Sequence, residues 1–334
     1  MNFQQLRILR EIIRYKFNIT DVANAIFASQ SGVSKQIREL EEELGSPLFI
    51  RRGKRLLGLT DLGADVARMA ERVLFEADNI KQAAAQYAVQ DQGILQIATT
   101  HTQARYALPE IVVKFKRSFP AVRLELRQTN PKDIPSLLLA GEADIGIGTD
   151  VFSDVENILT FPFYEWSHIV VAPAGHPLAS GKAVTLDELV QHPIITYESG
   201  ITGRGRIDEA FENANLHPNI SLTALDADVI KTYVASGLGV GLIAPMAYDE
   251  ARDAELRVID CAQPFAPSTT SIAIRRGRLQ RGFVYRFMEL CAPHLTENDI
   301  RDAELLDGNE HLQPGHPFAH PRLSYWNRDL SLTA

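Results

Sequence analysis

The sequence is poor in cysteine and has no long apolar run, and each absence excludes a class of protein. Two cysteines, Cys261 and Cys291, are too few for a disulfide framework or a cysteine-rich zinc site. No apolar run reaches the roughly 18 residues that a membrane-spanning helix needs. The first residues carry charge throughout, which predicts no signal peptide. We therefore expect a cytoplasmic protein that has no membrane partner.

The chain as a whole also lacks an excess of positive charge. Its 334 residues carry a formal net charge of -8, and 45% of them are hydrophobic, which is typical of a globular protein. The balance differs at the beginning, where residues 1–90 contain 13 Lys and Arg against 11 Asp and Glu. A locally basic end on an acidic chain of two or three domains favours a nucleic-acid-binding module joined to something else.

Residues 1–59 have the pattern of a winged helix-turn-helix. Apolar spacing predicts helices over 1–17, 21–28 and from residue 33 to about 44, with a break at 29–32. Two short apolar segments then flank a basic turn at 51–55, which predicts a hairpin. The alternative is a solvated helical bundle with a charged turn. A recognition helix in the major groove and a basic wing on the backbone or minor groove predict DNA contacts at Gln30, Ser31, Ser34, Lys35, Arg38, Arg51, Arg52, Lys54 and Arg55.

A long linker helix is predicted over residues 60–90. Thr60 supplies a cap, and apolar residues recur at alternating steps of three and four, close to a coiled-coil seam. Residues 91–93 end this pattern, and we place a domain boundary there.

Strands and helices alternate in residues 91–300, which predicts parallel sheets in α/β layers. We expect two similar halves, at 94–162 and 163–265, with a cleft between them. Residues 301–334 are rich in histidine and proline without periodicity, and we expect a loosely ordered tail that binds no metal.

Hydroxyl-rich segments fall at three predicted junctions between a strand and a helix. They are residues 99–103, Thr149 after a strand, and Thr202 before a helix. Ligands of open α/β sheets bind where strands end and helix N-termini point, so hydroxyls and backbone amides there suit a carboxylate or an oxyanion. Each threonine could instead cap a helix. Three such junctions in two halves favour a ligand.

No motif assembles a catalytic centre, a cofactor site or a metal site. The glycines from Gly237 to Gly241 follow a helix and enter a strand, the reverse of the order in a dinucleotide site. Asp226 and Asp228 at a helix start favour capping over metal binding, and His101 has no paired nucleophile or carboxylate in a motif. We expect no enzyme and no cofactor. A solute-binding protein would fit the two lobes alone but not the DNA module.

The beginning of the chain resembles the LysR family of transcriptional regulators. The resemblance rests on SQSGVSKQI at 29–37, with Leu40-Glu41, Leu44-Gly45 and Leu48-Phe49 after it. It implies an α/β protein with an N-terminal winged helix-turn-helix, a linker helix and a C-terminal two-lobed effector domain like a periplasmic binding protein. It also implies a homo-oligomer on double-stranded promoter DNA, a dimer through the linker helix that usually assembles to a tetramer.

The rest of the chain, to about residue 300, resembles the CysB and Cbl branch of that family, which regulates sulfur assimilation. The segments TTHTQARYALP at 99–109 and DADVIKTYV at 226–234 carry this resemblance. It implies a regulator of sulfate, sulfonate and cysteine genes that responds to acetylserine or a sulfate-like anion. A different carboxylate inducer, or an enzyme acting on a sulfur metabolite, is the alternative. By the same resemblance, the effector contacts are Thr100, Thr102, Gln103, Thr149, Trp166 and Thr202.

Overall fold

The chain divides at the end of a long helix, into Met1–Ala88 and Val89–Ala334. The structure is a computed structural model that describes residues 1–53, 55–88, 92–153, 155–263 and 265–305. A winged helix-turn-helix and the long helix form the first unit, and two α/β lobes form the second. The fold class predicted from the sequence is therefore confirmed.

Three helices, each capped by a side chain, form the helical part of the first unit. Asn2, Asn18 and Ser29 accept hydrogen bonds from backbone N–H groups in the first turns of their helices. The predicted break at 29–32 is wrong, because Ser29 is the cap and the next three residues are the first turn of the third helix. The helices are α1 (Phe3–Arg14), α2 (Ile19–Ala25) and α3 (Gln30–Leu44).

The predicted wing is an antiparallel hairpin of β1 (Phe49–Arg52) and β2 (Arg55–Leu59). Leu48, Phe49 and Leu56 are buried in one core with α1, α2 and α3. Burial of one such side chain stabilises a fold by about 1.5–3 kcal/mol, so the hairpin is held against the helices by its own apolar residues.

The long helix α4 (Asp61–Ala88) has 28 residues and begins after Thr60, whose hydroxyl accepts from the Gly63 N–H at 2.9 Å. Ala70 and Leu74 are buried in the core of the first unit. Among the side chains of α4 that the structure describes, four large apolar ones are exposed: Leu62, Met69, Val73 and Ile80. In the described part of the chain, no helix combines the length and the apolar character needed to cross a membrane.

Each lobe of the second unit has a five-stranded mixed sheet, with strand order β4-β3-β5-β12-β6 in the first lobe and β11-β7-β10-β8-β9 in the second. The strands are β3 (Gly93–Thr99), β4 (Val122–Gln128), β5 (Ile145–Thr149), β6 (Ile158–Trp166), β7 (Ile169–Pro173), β8 (Ile194–Tyr197), β9 (Ile220–Ala224), β10 (Val240–Ile243), β11 (Leu256–Ile259) and β12 (Ser268–Arg275). The helices are α5 (Pro109–Ser118), α6 (Ile134–Leu139), α7 (Leu186–Leu189), α8 (Arg204–Asn213), α9 (Ala227–Ala235), α10 (Gly282–Cys291) and α11 (Glu297–Leu305).

The predicted division of the lobes at residues 162 and 163 is wrong. Strand β6 continues to Trp166 within the first lobe, and β12 returns to that lobe to pair antiparallel with both β5 and β6. The chain therefore crosses between the lobes twice, once between β6 and β7 and once between β11 and β12. Both crossings lie beside the C-terminal ends of β5 and β6.

Two further predictions are wrong: the length of the helix after β3 and the start of the C-terminal tail. The single helix predicted over 103–119 is a π-helical turn at Gln103–Ala107 followed by α5, because Pro109 starts a new helix at its first position. Residues 301–305 belong to α11, whose Ile300 and Ala303 are buried in the core of the first lobe, so the tail does not begin at 301. Residues 306–334, with the tail histidines, lie outside the described residues.

Candidate functional site

The recognition helix α3 turns its predicted DNA-contacting face outward. Val33, Ile37 and Leu40 are buried beneath it, which orients the opposite face. On that face Ser34 is partly exposed, and four of the predicted residues are exposed: Gln30, Ser31, Lys35 and Arg38.

The start of α3 and the first residues of β2 in the wing share one surface. Gln30, Ser31, Ser34 and Arg55 line a groove of about 930 Å³ that also reaches the connection between α1 and α2. Four of the residues predicted to contact DNA are thus brought together, although the hairpin is about 20 residues further along the chain than the helix start.

The predicted wing cations have different surroundings. Arg51 Nη2 forms an ion pair with Glu41 Oε2 of α3 at 2.7 Å, and Glu41 Oε1 accepts from the Leu48 N–H at 2.8 Å. Arg51 therefore ties the wing to α3. Arg52 and Arg55 are exposed at the tip, and Lys54 lies outside the described residues.

Sequence reasoning missed Phe27, in the turn between α2 and α3. Its side chain is 99% exposed and its backbone φ is +53°, which is uncommon for a residue other than glycine. Such backbone strain costs on the order of 1 kcal/mol and concentrates at functional positions. Phe27 lies between Ile26 and Ala28 in the sequence, so its apolar neighbours gave no signal that its side chain is exposed.

The predicted effector residues of the first lobe lie at the C-terminal edge of its sheet. Thr100, Thr102 and Gln103 follow β3, Thr149 ends β5 and Trp166 ends β6. With Thr202 of the second lobe, all six predicted residues are buried and none is more than 8% exposed.

Thr270 of β12, which sequence reasoning missed, connects two of the predicted residues. Its hydroxyl lies 2.8 Å from the Thr149 hydroxyl and accepts from Trp166 Nε1 at 3.1 Å. Tyr164, also missed, donates from its hydroxyl to Gln103 Oε1 at 2.5 Å. No local pattern marks Thr270, because β12 reaches this position only through strand pairing.

The loop before α8 brings Thr202 of the second lobe against the first lobe. Thr202 and Gly203 both have positive φ, at +40° and +65°. A Cβ on Gly203 would lie 2.7 Å from Ser268 Oγ and 3.4 Å from Trp166 Cη2. Only glycine fits there, because the φ and the close approach both exclude a side chain.

Three buried polar atoms at this junction have no hydrogen-bond partner among the described residues: Thr202 Oγ1, Ser268 Oγ and His168 Nδ1. The His168 Nε2 lies 3.0 Å from the Thr202 carbonyl oxygen, which assigns the ring proton to Nε2 and leaves Nδ1 as an acceptor. Burial lowers the pKa of His168 to about 4, against the opposing effect of the bond to Thr202, so the ring is neutral near pH 7. An unpaired buried polar group costs about 1–3 kcal/mol, which a bound ligand can recover.

Helix capping does not account for two of the threonines. Gly203 is the N-cap of α8, and neither Thr202 nor Thr102 makes a side-chain capping bond. The cation nearest the start of α8 is engaged, because Arg204 donates to Asp208 Oδ1 at 2.8 Å and to the Tyr197 carbonyl oxygen at 2.5 Å. The site thus offers neutral hydroxyls and a helix start rather than Arg204.

The two acidic residues beside this edge are a helix cap, Asp226, and an ion-paired carboxylate, Asp228. Asp226 caps α9 by accepting from the Val229 N–H at 3.0 Å, as predicted. The ligand atoms of His101, Asp226 and Asp228 lie within 4.8 Å of one another, but Arg105 Nε is 2.7 Å from Asp228 Oδ2 and already compensates its charge. This geometry favours structural pairing over a metal ion.

The fold and the two sites define a DNA-binding protein with a separate ligand-binding domain. Residues 3–64 match the model of the bacterial regulatory helix-turn-helix protein, lysR family, and residues 88–296 match the LysR substrate binding domain. The chain belongs to the LysR family of transcriptional regulators.

Relatives in this family include CysB and Cbl, the two regulators whose branch the sequence resembles. The HTH-type transcriptional regulator SsuR of Burkholderia cenocepacia is 52% identical, over 90% of this chain and 97% of its own length. The regulator CysB of the same species is 44% identical, over 91% of this chain and 97% of its own length. A crystal structure of the cofactor-binding domain of the Cbl transcriptional regulator has a TM-score of 0.61 and 46% identity, and covers 63% of this chain and 92% of that chain.

These findings confirm the predicted family, its CysB and Cbl branch, and the absence of an enzymatic function. The family and the relatives are transcriptional regulators, whose substrate-binding domain takes a small-molecule effector rather than a cofactor.

Proposed function

We propose that this regulator controls genes of sulfate, sulfonate or cysteine metabolism in the cytoplasm and is switched by a small anion between the lobes of its second unit. The resemblance to the CysB and Cbl branch supports the choice of genes. The effector site rests on one observation: Thr202 Oγ1, Ser268 Oγ and His168 Nδ1 are buried without a partner in the described protein. They adjoin the ends of β5 and β6, where a ligand would bind.

The site chemistry favours an anion held by neutral donors. Hydroxyls of Thr100, Thr102, Thr149 and Thr202, with the start of α8, supply hydrogen bonds, and Gln103 and Trp166 form the wall. The unpaired acceptor on neutral His168 favours an effector that carries an N–H or O–H group beside its anionic group, as acetylserine does. Sulfate and thiosulfate lack such a donor.

Titration calorimetry with acetylserine, sulfate, thiosulfate and adenylylsulfate tests this site. The bound effector should lose about tenfold or more in affinity in Thr102→Ala and in Thr202→Val, since each loses one hydrogen bond to an anion, worth about 1.5–3 kcal/mol. Thr223→Val on the exposed face of β9 is the matched control, and basal DNA binding should not change. Wild-type affinity in both variants excludes the site, and binding of an unrelated carboxylate alone would point to a different inducer.

The DNA half of the proposal assigns contacts to the exposed face of α3 and to the wing. Gln30, Ser31 and Ser34 read base edges, while cations contact the phosphates: Lys35, Arg38, Arg52, Lys54 and Arg55. Arg51 acts mainly by holding the wing on Glu41. Phe27 adds an apolar contact to the duplex, because a fully exposed aromatic side chain precedes the recognition helix in a strained turn.

The protein forms a dimer through α4 in this proposal, and the dimer assembles to a tetramer on promoter DNA. Leu62, Met69, Val73 and Ile80 follow one another at steps of seven, four and seven and are exposed, while Ala70 and Leu74 face the core of the first unit. An exposed stripe with coiled-coil spacing suits a second copy of the same helix.

A further inference from the structure

Asp228 connects the two lobes beside the effector site. It lies in the first turn of α9 in the second lobe. Its Oδ1 accepts from the Tyr106 hydroxyl at 2.7 Å, and its Oδ2 lies 2.7 Å from Arg105 Nε and 3.1 Å from His101 Nε2. All three partners belong to the turn that follows β3 in the first lobe, so one carboxylate gathers three side chains from across the lobe boundary.

The same turn carries proposed effector contacts. Thr100, Thr102 and Gln103 lie within residues 100–106, the same segment that contains the three partners of Asp228. His101 is further held by its Nδ1, which lies 3.2 Å from Gln128 Oε1 at the end of β4. Because both sets of side chains stand on seven consecutive residues, a shift of the turn away from Asp228 also moves the effector contacts.

The electrostatics of the cluster favour its persistence. Burial acts to raise the pKa of Asp228, but hydrogen bonds from Tyr106 and His101 and the charge of Arg105 outweigh it, so the pKa lies below its ordinary value. Burial, then the bond to Asp228, raises the pKa of Tyr106, which keeps its hydroxyl protonated as a donor. Charge-assisted hydrogen bonds of this kind are roughly twice as strong as neutral ones.

We infer that Asp228 is a positioning residue for the effector: it holds the turn 100–106 in its binding geometry and so links effector affinity to contact between the lobes. This inference rests on the effector site proposed above. In this role Asp228 acts through the turn rather than by contact with the effector. A ligand that requires the ordered turn then stabilises the hydrogen bonds between the lobes. By linkage, those hydrogen bonds increase the affinity for the ligand by the same free energy.

Hydrogen exchange of the effector-free protein tests the positioning role. Asp228→Asn should raise the exchange of backbone amides in residues 100–108 by about tenfold, because it weakens the bonds from Arg105 and Tyr106. Asp226→Asn is the matched control: it removes the same charge two residues away, retains a good N-cap, and loses no hydrogen bond to the first lobe in the described structure. Equal exchange in the two variants overturns the inference.

Calorimetry with the probe that binds the wild type, acetylserine or sulfate, provides the second test. Asp228→Asn and Tyr106→Phe should each weaken binding about three- to tenfold, and the double variant should lose less than the product of the two, since both remove one bond. Unchanged affinity in Asp228→Asn overturns the positioning role and leaves the effector site intact. If neither probe binds the wild type, the proposed function fails for these anions, and hydrogen exchange decides the positioning role.

Discussion

Arg52 lies directly opposite Arg55 in the antiparallel wing, and both side chains are exposed. Like charges at opposed positions of a hairpin repel each other, and neither arginine has an ion-pair partner in the described part of the chain. A polyanion across the hairpin tip removes this repulsion. We therefore expect the pair to stabilise the proposed DNA complex at some cost to the free wing.

Replacing Arg52 by alanine should weaken binding to specific and random duplexes alike. The slope of log K against log salt should become shallower by about one, because one fewer phosphate contact releases fewer counterions. The free protein should be unchanged or slightly more stable. Fluorescence anisotropy over a salt series and thermal unfolding measure the two effects.

Arg51→Ala is the informative comparison for the wing. Arg51 is paired with Glu41, so its loss should lower the melting temperature of the first unit and change the salt slope less than Arg52→Ala does. A larger change in salt slope for Arg51→Ala than for Arg52→Ala would contradict the role of Arg51 in attaching the wing to α3.

Replacing Phe27 by alanine should reduce DNA affinity about fivefold and leave the salt slope unchanged. The expected loss is about 1 kcal/mol, less than full burial of a phenylalanine yields, and an apolar contact releases no counterions. Phe27→Leu should retain most of the affinity, whereas Arg38→Ala should change the slope. Anisotropy that finds Phe27→Ala within twofold of wild type removes this residue from the interface.

The effector domain should lose stability as the pH falls from about 6.5 to 4, in part because of His168. In that window the unfolded chain binds a proton on this residue that the folded chain does not, since burial lowers the folded pKa from 6.5 to about 4. The shift corresponds to roughly 3 kcal/mol at pH 4. At pH 7 only about a quarter of the unfolded chains carry this proton, and the effect falls to about 0.2 kcal/mol.

His168→Gln isolates this contribution. Urea unfolding at pH 7 and pH 4.5, followed by tryptophan fluorescence, should show a smaller pH dependence in the variant. Trp166 lies against His168, with ring centroids 4.8 Å apart, and reports on this site. Burial also lowers the pKa of His294 and His176, but both remain in the variant, so the difference from wild type belongs to His168. The same pH dependence in the variant and in the wild type would show that His168 is not buried in its neutral form.

Replacing Ile80 by glutamate should dissociate the proposed dimer. Ile80 is 71% exposed on the apolar stripe of α4, and a buried unpaired carboxylate in a helix pair is strongly destabilising. Lys81→Gln is the control, because it lowers the net charge by the same single unit at the next position, off the stripe, and loses only an exposed ion pair with Asp78. Sedimentation that gives the same mass for both variants contradicts pairing through this face.

Local patterns were enough to predict the first unit and its outward face. The spacing of Val33, Ile37 and Leu40 determines which side of α3 is buried, and therefore which side is exposed, because helical periodicity converts sequence distance into direction. The steps along α4 predict an apolar stripe in the same way. Helix ends were less predictable, since caps such as Asn18 compete with neighbouring Thr20 and Asp21 and geometry selects among them.

The hydroxyl-rich junctions also followed from the sequence, because strand ends and helix starts are local features. The residues that these junctions contact could not be predicted from the sequence. Thr270 and Ser268 reach the site only when β12 returns to pair with β5 and β6, across more than 100 residues of chain. The unpaired atoms of His168 and Thr202, the attachment of Arg51 to Glu41, and the gathering of three side chains on Asp228 arise likewise from contacts between distant segments. The sequence alone thus determined the class of regulator and the faces of its elements. The tertiary structure decided which polar groups are satisfied and which remain for a ligand, because that depends on what long-range packing places within hydrogen-bond distance.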